Sequence, residues 1–248
     1  YGDPAVVSSQ KAGLIYGIEL DDEQLITYTY DTLGRRKQRN NQQMLISTVY
    51  TYLPGDDPNT TTALLSGLSN SGMGSLNQNF TYTYDVKGNI TTISENSVQK
   101  VSYTYDSLSQ LTRENNVYLN KTITYAYDAG GNITEKKEYA YTTGTLGTPT
   151  DTIPYVYGDT NWKDKLTSYD GTSITYDAIG NPLTYHDGRT FTWQNGRQLA
   201  STAKSGVTST YKYNDSGIRT KKTAGSVTTN YYLNGDRVEA ESNGTNTL

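Results

Sequence analysis

Tyr125-Ala126-Tyr127-Asp128-Ala129-Gly130-Gly131-Asn132-Ile133-Thr134 is a phrase that this chain repeats. It recurs as Tyr82-Thr83-Tyr84-Asp85-Val86-Lys87-Gly88-Asn89-Ile90-Thr91 and as Tyr176-Asp177-Ala178-Ile179-Gly180-Asn181-Pro182-Leu183-Thr184. Alternating side chains of a strand place both rings of Tyr-x-Tyr on one face. The Asp carboxylate can accept backbone N–H groups just ahead of it, which opens a turn. Gly-Asn tolerates the positive φ that tight hairpin turns need. Ile-Thr restarts a β-branched, extended run. Each phrase therefore reads as strand, turn, strand, with positive φ expected at Gly88, Gly131 and Gly180.

Working outward, the phrase opens at Tyr28-x-Tyr30-Asp31 with Gly34, and recurs at Tyr103-x-Tyr105-Asp106. Phe191-x-Trp193 leads to Gly196-Arg197, and Tyr211-x-Tyr213 leads to Gly217 and Arg219. About nine copies at a spacing of roughly 20 residues make a repeat array rather than isolated hairpins. Leu14-Ile15-Tyr16 is read as a strand ahead of the first copy. Residues 54–79 and 142–151 break the rhythm with Gly, Ser, Thr and Asn. The first is expected to be a longer loop or an elaborated hairpin, and the second a polar insertion. The fold class is all-β: repeated antiparallel hairpins in one array over residues 1–248. A sheet that wide must curl, split or close, because strands twist.

The 248 residues include 24 tyrosines and no cysteine, at a formal net charge of −4. Tyrosine supplies large rings with a polar tip, which suits a thin sheet better than a thick core. Rows of such rings are read as cross-strand ladders, with Tyr84, Tyr105, Tyr127, Tyr176, Trp193 and Tyr213 as rungs. The alternative is a platform for stacking sugars. With no cysteine there is neither a disulfide framework nor thiol chemistry. The mild negative charge disfavours nucleic acid as a partner. No apolar run reaches membrane-spanning length. The chain opens at Tyr1 without Met and reads as a fragment of a longer protein.

His186 is the only histidine and lies in an expected turn, so neither acid–base nor zinc chemistry is read there. The series Asp31, Asp85, Asp106, Asp128 and Asp177 could be repeated calcium ligands, but each turn offers one carboxylate and calcium needs several converging oxygens. Turn capping is the reading adopted. No catalytic residue, cofactor or metal is expected. Asn89 and Asn132 fall in Asn-x-Thr sequons that the repeat itself creates, so these carry no information about source.

The iterated Tyr-x-Tyr-Asp-x-x-Gly-Asn-x-Thr phrase resembles the YD repeat of bacterial Rhs and wall-associated proteins. The same repeat occurs in the C component of Tc toxin complexes and in teneurins. The resemblance implies a spiral strip of hairpins forming part of a hollow shell, without enzymatic activity, that encapsulates or presents a C-terminal toxin. It implies a bacterial parent, secreted or on the cell surface, whose further repeats and cargo domain are the partners of this stretch. Relatives release cargo by self-cleavage near an Asp-Pro-x-Gly element. Asp3-Pro4 and Asp57-Pro58 are not followed by x-Gly, so self-processing does not carry over. The alternative function is a surface binding module or adhesin that recognises a glycan or a protein partner.

Overall fold

The computed structural model describes residues 13–20, 23–57 and 60–245. Asp3-Pro4 and Pro58 lie outside the described residues. Of the described residues, 58% are in strands and 1% are helical, and their antiparallel hairpin sheets do not close into a barrel. The chain divides into two compact units: residues 1–125 with 137–150, and residues 126–136 with 151–248.

In the first unit the strands run β1 (Gly17–Leu20), β2 (Glu23–Tyr30), β3 (Arg36–Asn41), β4 (Ile46–Pro54), β5 (Thr61–Gly72), β6 (Leu76–Tyr84), β7 (Ile90–Glu95), β8 (Val98–Tyr105), β9 (Leu111–Asn116) and β10 (Lys121–Tyr127). Each pairs antiparallel with its neighbour in sequence, so the sheet is a continuous meander. β11 (Ile133–Ala140) returns from the Asp128 turn. Leu14-Ile15-Tyr16 precedes β1 rather than forming it. The stretch 54–79 is an elaborated hairpin, because β5 is a strand of 12 residues that pairs with β4 and β6.

The second unit holds β12 (Asp151–Val156), β13 (Ser168–Tyr169) and β14 (Thr172–Ser173). It also holds a six-stranded meander of β15 (Thr190–Gln194), β16 (Gln198–Lys204), β17 (Val207–Tyr213), β18 (Arg219–Ala224), β19 (Val227–Asn234) and β20 (Arg237–Ser242). Here too an expected strand is missing among the described residues. Tyr176 makes only an isolated bridge, to Pro182. Pro182 stands where the Asp85 and Asp128 copies carry Ile, and backbone pairing resumes just beyond it, where the Leu183 N–H donates to the Thr175 carbonyl (2.7 Å).

The two faces of the sheet differ as the alternation requires. Along β6, Leu76, Gln78, Phe80, Tyr82 and Tyr84 are half-buried, while Asn77, Asn79, Thr81 and Thr83 are exposed. Few side chains are fully buried. They include Val101, Ile123, Tyr139, Ile153 and Ile174, together with the polar Thr48, Asn115, Thr122 and Asn181. The insertion after β11 is pinned by Arg113 and Thr122. Arg113 Nη2 donates to the carbonyls of Thr142 (2.8 Å) and Gly144 (2.9 Å), and the Thr122 hydroxyl donates to the Thr142 carbonyl (2.8 Å).

Candidate functional site

The Asp turn is one structure made several times. In the Asp85 copy the Asp85 N–H donates to the Asn89 carbonyl, and the Gly88 N–H donates to the Asp85 carbonyl. Asp85 Oδ1 accepts the N–H groups of Lys87 and Asn89, each at 2.9 Å. The same pattern holds at Asp31, Asp106, Asp128 and Asp177. The fourth residue is left-handed, with φ of 82° at Gly34, 85° at Gly88, 87° at Gly131 and 86° at Gly180. Ser109 holds that place in the Asp106 turn at φ 65°. At position 214 asparagine replaces the aspartate. Its Oδ1 still accepts the Ile218 N–H, and Gly217 still has a left-handed φ of 77°. A neutral residue suffices there, so the turn uses the oxygen as an acceptor and does not require a charge. The described residues include no group of three or more His, Cys, Asp or Glu placed to hold a metal.

The asparagine after the glycine has two N–H donors and uses them in two directions. One goes back to its own aspartate: Asn89 Nδ2 to Asp85 Oδ2, Asn132 Nδ2 to Asp128 Oδ2, and Asn181 Nδ2 to Asp177 Oδ2. The other reaches the next turn along the edge. Asn89 Nδ2 donates to Ser109 Oγ (3.2 Å), Asn132 Nδ2 to Asp164 Oδ1 (3.1 Å), and Asn181 Nδ2 to the Gly196 carbonyl (2.8 Å). Arg197 Nη2 ties the same pair of turns from the other side by donating to the Ile179 carbonyl. In the first copy Arg35 takes the asparagine's place. It pairs with Asp31, donates to Thr61 Oγ1 and the Thr62 carbonyl, and stacks 4.1 Å from the Tyr52 ring.

A second link runs through the aromatic residues. The Tyr105 hydroxyl donates to the Ile90 carbonyl (2.8 Å), just past the preceding turn. Tyr52 does the same to Arg36, and the Trp193 indole N–H to Pro182 (2.7 Å). Tyr30, Tyr84, Tyr176 and Tyr213 bond to Ile15, Leu65, Leu166 and Leu199. For Tyr84, Tyr105, Tyr176, Trp193 and Tyr213 the observed link is therefore tip to backbone, not the expected ring-on-ring ladder. The reason is geometric. Successive Tyr-x-Tyr strands are separated by a returning strand, which puts equivalent rings about 10 Å apart. Cations take up some ring faces instead. Arg219 lies over Tyr211 and Tyr231, and Lys165 over Trp162 and Tyr176. Tyr28 carries Arg36, and burial raises the pKa of Tyr82 and Tyr103. Tyr125 and Tyr127 are also engaged.

The sequence reading missed the role of the threonine. The register slips by one residue between Thr83 and Tyr84, Thr104 and Tyr105, Thr29 and Tyr30, and Lys212 and Tyr213. The unpaired residues opposite include Thr91, Thr112 and Thr220. Thr112 Oγ1 donates to the Thr104 carbonyl (3.0 Å), and the Thr91 and Thr83 hydroxyls lie 2.8 Å apart. A β-bulge thus precedes the second ring of these phrases, which adds local twist and aims that ring at the preceding turn. Alternating threonines were the available signal, since a hydroxyl can satisfy backbone at a bulge.

Removing the tip alone measures its worth. Tyr105→Phe keeps the ring and loses the bond to Ile90, so unfolding free energy should fall by about 1 kcal/mol in a urea titration. A neutral result would mean that the hydroxyl contributes nothing.

The turn carboxylates also set an acid limit. The Asn89 side-chain amide, with backbone N–H groups, holds Asp85 below the ordinary carboxylate pKa, and Asn132 does the same for Asp128. Lys165, with the N–H groups of Asn161 and Trp162, lowers Asp159 to about 2. A pKa lower in the folded chain than in the unfolded one means that the unfolded chain takes up protons first as pH falls. This stability is complete above pH of about 4 and is lost as pH drops through the folded values. Melting temperature should hold between neutrality and that point and fall below it; a flat profile down to pH of about 2 would contradict the carboxylate-capped turn.

The His186 ring lies 4.2 Å from the Tyr169 ring and 4.5 Å from the Tyr185 ring, centroid to centroid. No helix among the described residues is long and apolar enough to cross a membrane.

No family model matches the chain. The tRNA nuclease WapA of Bacillus subtilis strain 168 is 38% identical over 80 residues, covering 31% of this chain and 3% of that protein. The tRNA(Glu)-specific nuclease WapA of B. subtilis subsp. natto matches to the same extent. Among solved structures, the chain resembles a chain of the Photorhabdus luminescens Tc holotoxin pore at TM-score 0.61 and 18% identity, covering 88% of this chain and 12% of that one. It resembles the crystal structure of TcdB2-TccC3-TEV at TM-score 0.63 and 20% identity, covering 90% and 13% respectively. The resemblance to YD-repeat proteins thus extends from the phrase to the fold. This chain spans only a small part of each of these proteins.

Proposed function

We propose that this chain is a stretch of wall from an Rhs-type shell, a non-enzymatic scaffold that encloses or presents a toxin cargo carried on the same polypeptide. The observation that carries the reading is the repeated interlock. Asparagine amides and aromatic tips tie turn to turn along the sheet, which stiffens a sheet that buries few apolar side chains. A container wall needs that property and a catalytic site does not. The further repeats of the parent are its first partner. The turn tips Leu33, Val86 and Leu108 are exposed at 64%, 104% and 75%, and apolar tips in such a row are suited to being covered. The likeness to Tc toxin chains supports a secreted or cell-surface bacterial setting. The match to WapA covers about a third of this chain and 3% of that protein.

The test is protease protection in the polypeptide that carries this stretch. A downstream cargo should resist digestion while the shell is intact and become sensitive once it is opened. A cargo cut as fast as its free form would overturn the proposal. A second reading, a binding module for glycan or protein, is favoured by Trp162, Tyr118 and Tyr232, exposed at 45%, 55% and 56%. A glycan array separates the two, because a plain wall gives no signal.

A further inference from the structure

We propose that Asn195 is a site of spontaneous, backbone-assisted deamidation, and that the modification releases the clasp between two turns. In this reaction the Gly196 backbone nitrogen attacks Cγ of Asn195 and gives up its proton. The side-chain amide nitrogen leaves as ammonia, and a five-membered succinimide forms. Water then opens the ring at either carbonyl, leaving aspartate or isoaspartate. No other reactant is needed.

Three features place the reaction here. Asn195 is followed by glycine, which has no Cβ to hinder the approach of its nitrogen. The loop Asn195–Arg197 is exposed, and a Cβ built on Gly196 would meet nothing within 4 Å, so water and base have free access. Asn195 sits in the left-handed region at φ 48°, which asparagine adopts less readily than glycine. Its amide is held by Gln198 Oε1 at 3.0 Å. Asn89, Asn132 and Asn181 differ on each count. Their amides bond both to their own aspartate and to the next turn. They are followed by Ile90, Ile133 and Pro182, two of which are β-branched while the third has no N–H to react.

The consequence is local and specific. Isoaspartate adds a carbon to the main chain just before Gly196. The Gly196 carbonyl is the acceptor for Asn181 Nδ2, and Arg197 holds the Ile179 carbonyl. Lengthening the loop moves both groups away from the Asp177 turn.

Purified protein is aged in mildly alkaline buffer and mapped by peptide mass spectrometry, with isoaspartate detected by enzymatic methyl labelling. The peptide spanning Asn195 should convert several-fold faster than those spanning Asn89, Asn132 and Asn181. Gly196→Ala should slow the conversion, and Asn195→Gln should abolish it. In aged wild type, hydrogen exchange should quicken at the amides of Ile179 and Asn181. Conversion at Asn195 no faster than at the three clasped asparagines would overturn the proposal. So would full conversion without faster exchange at the Asp177 turn.

Discussion

Gly180→Ala should destabilise the protein by about 3 kcal/mol in chemical denaturation, well beyond an ordinary glycine replacement. Two effects act together. Gly180 has φ of 86°, where a residue with a Cβ is strained by roughly 1–2 kcal/mol. A Cβ there would also stand 2.2 Å and 2.7 Å from two atoms of the Trp162 ring. That ring is bulky and rigid, and its loop is fixed where Asp159 accepts the N–H groups of Asn161 and Trp162, so it cannot swing aside freely. Gly196→Ala is the control. Gly196 has φ of 83° but open space at its Cβ, so it should show the strain alone, about 1–2 kcal/mol. Equal losses at the two sites would show that Trp162 does not pack on Gly180 in solution.

Asn181→Asp should cost about 3 kcal/mol at neutral pH, although it exchanges only NH2 for O. Asn181 is 3% exposed, and both donors of its amide are in use. The replacement would set a carboxylate against the Asp177 carboxylate and the Gly196 carbonyl, three acceptors with no proton between them. The penalty should shrink as pH falls, because the introduced carboxyl group regains one donor once it is protonated. Tm measured against pH should therefore converge towards wild type on acidification. A constant penalty across pH would assign the loss to packing rather than to acceptor repulsion.

Much of the fold was legible because the phrase states its own geometry. Alternating rings marked the strands, and Asp-x-x-Gly marked the turns with their left-handed glycines. Less legible was whatever depends on which of two bonds a group makes. Asn89 and Asn181 could be placed in turns from sequence, but the second N–H that reaches the next turn depends on how close the edge brings them. The tyrosine rows were visible, yet a ladder was expected although the returning strand of each phrase, itself expected, holds equivalent rings about 10 Å apart. Thr61–Gly72 was hidden as a strand because Gly67, Ser69, Asn70 and Ser71 replace the usual alternation, and its ladder comes from pairing on both sides. At Tyr176 the phrase was intact and a regular strand was not, the pairing there being reduced to an isolated bridge to Pro182.

The claim at the centre of this account is that each repeat holds the one before it. The direct measurement is hydrogen exchange on Tyr105→Phe, read at the amides of Lys87, Gly88 and Asn89. These amides belong to the Asp85 turn, and each donates to Asp85 rather than to residue 105. If the Tyr105 hydroxyl secures the strand leaving that turn through the Ile90 carbonyl, all three should exchange faster in the variant than in wild type. Unchanged exchange there, with any loosening confined to β8 and β9, would mean that the hairpins stand side by side without holding one another.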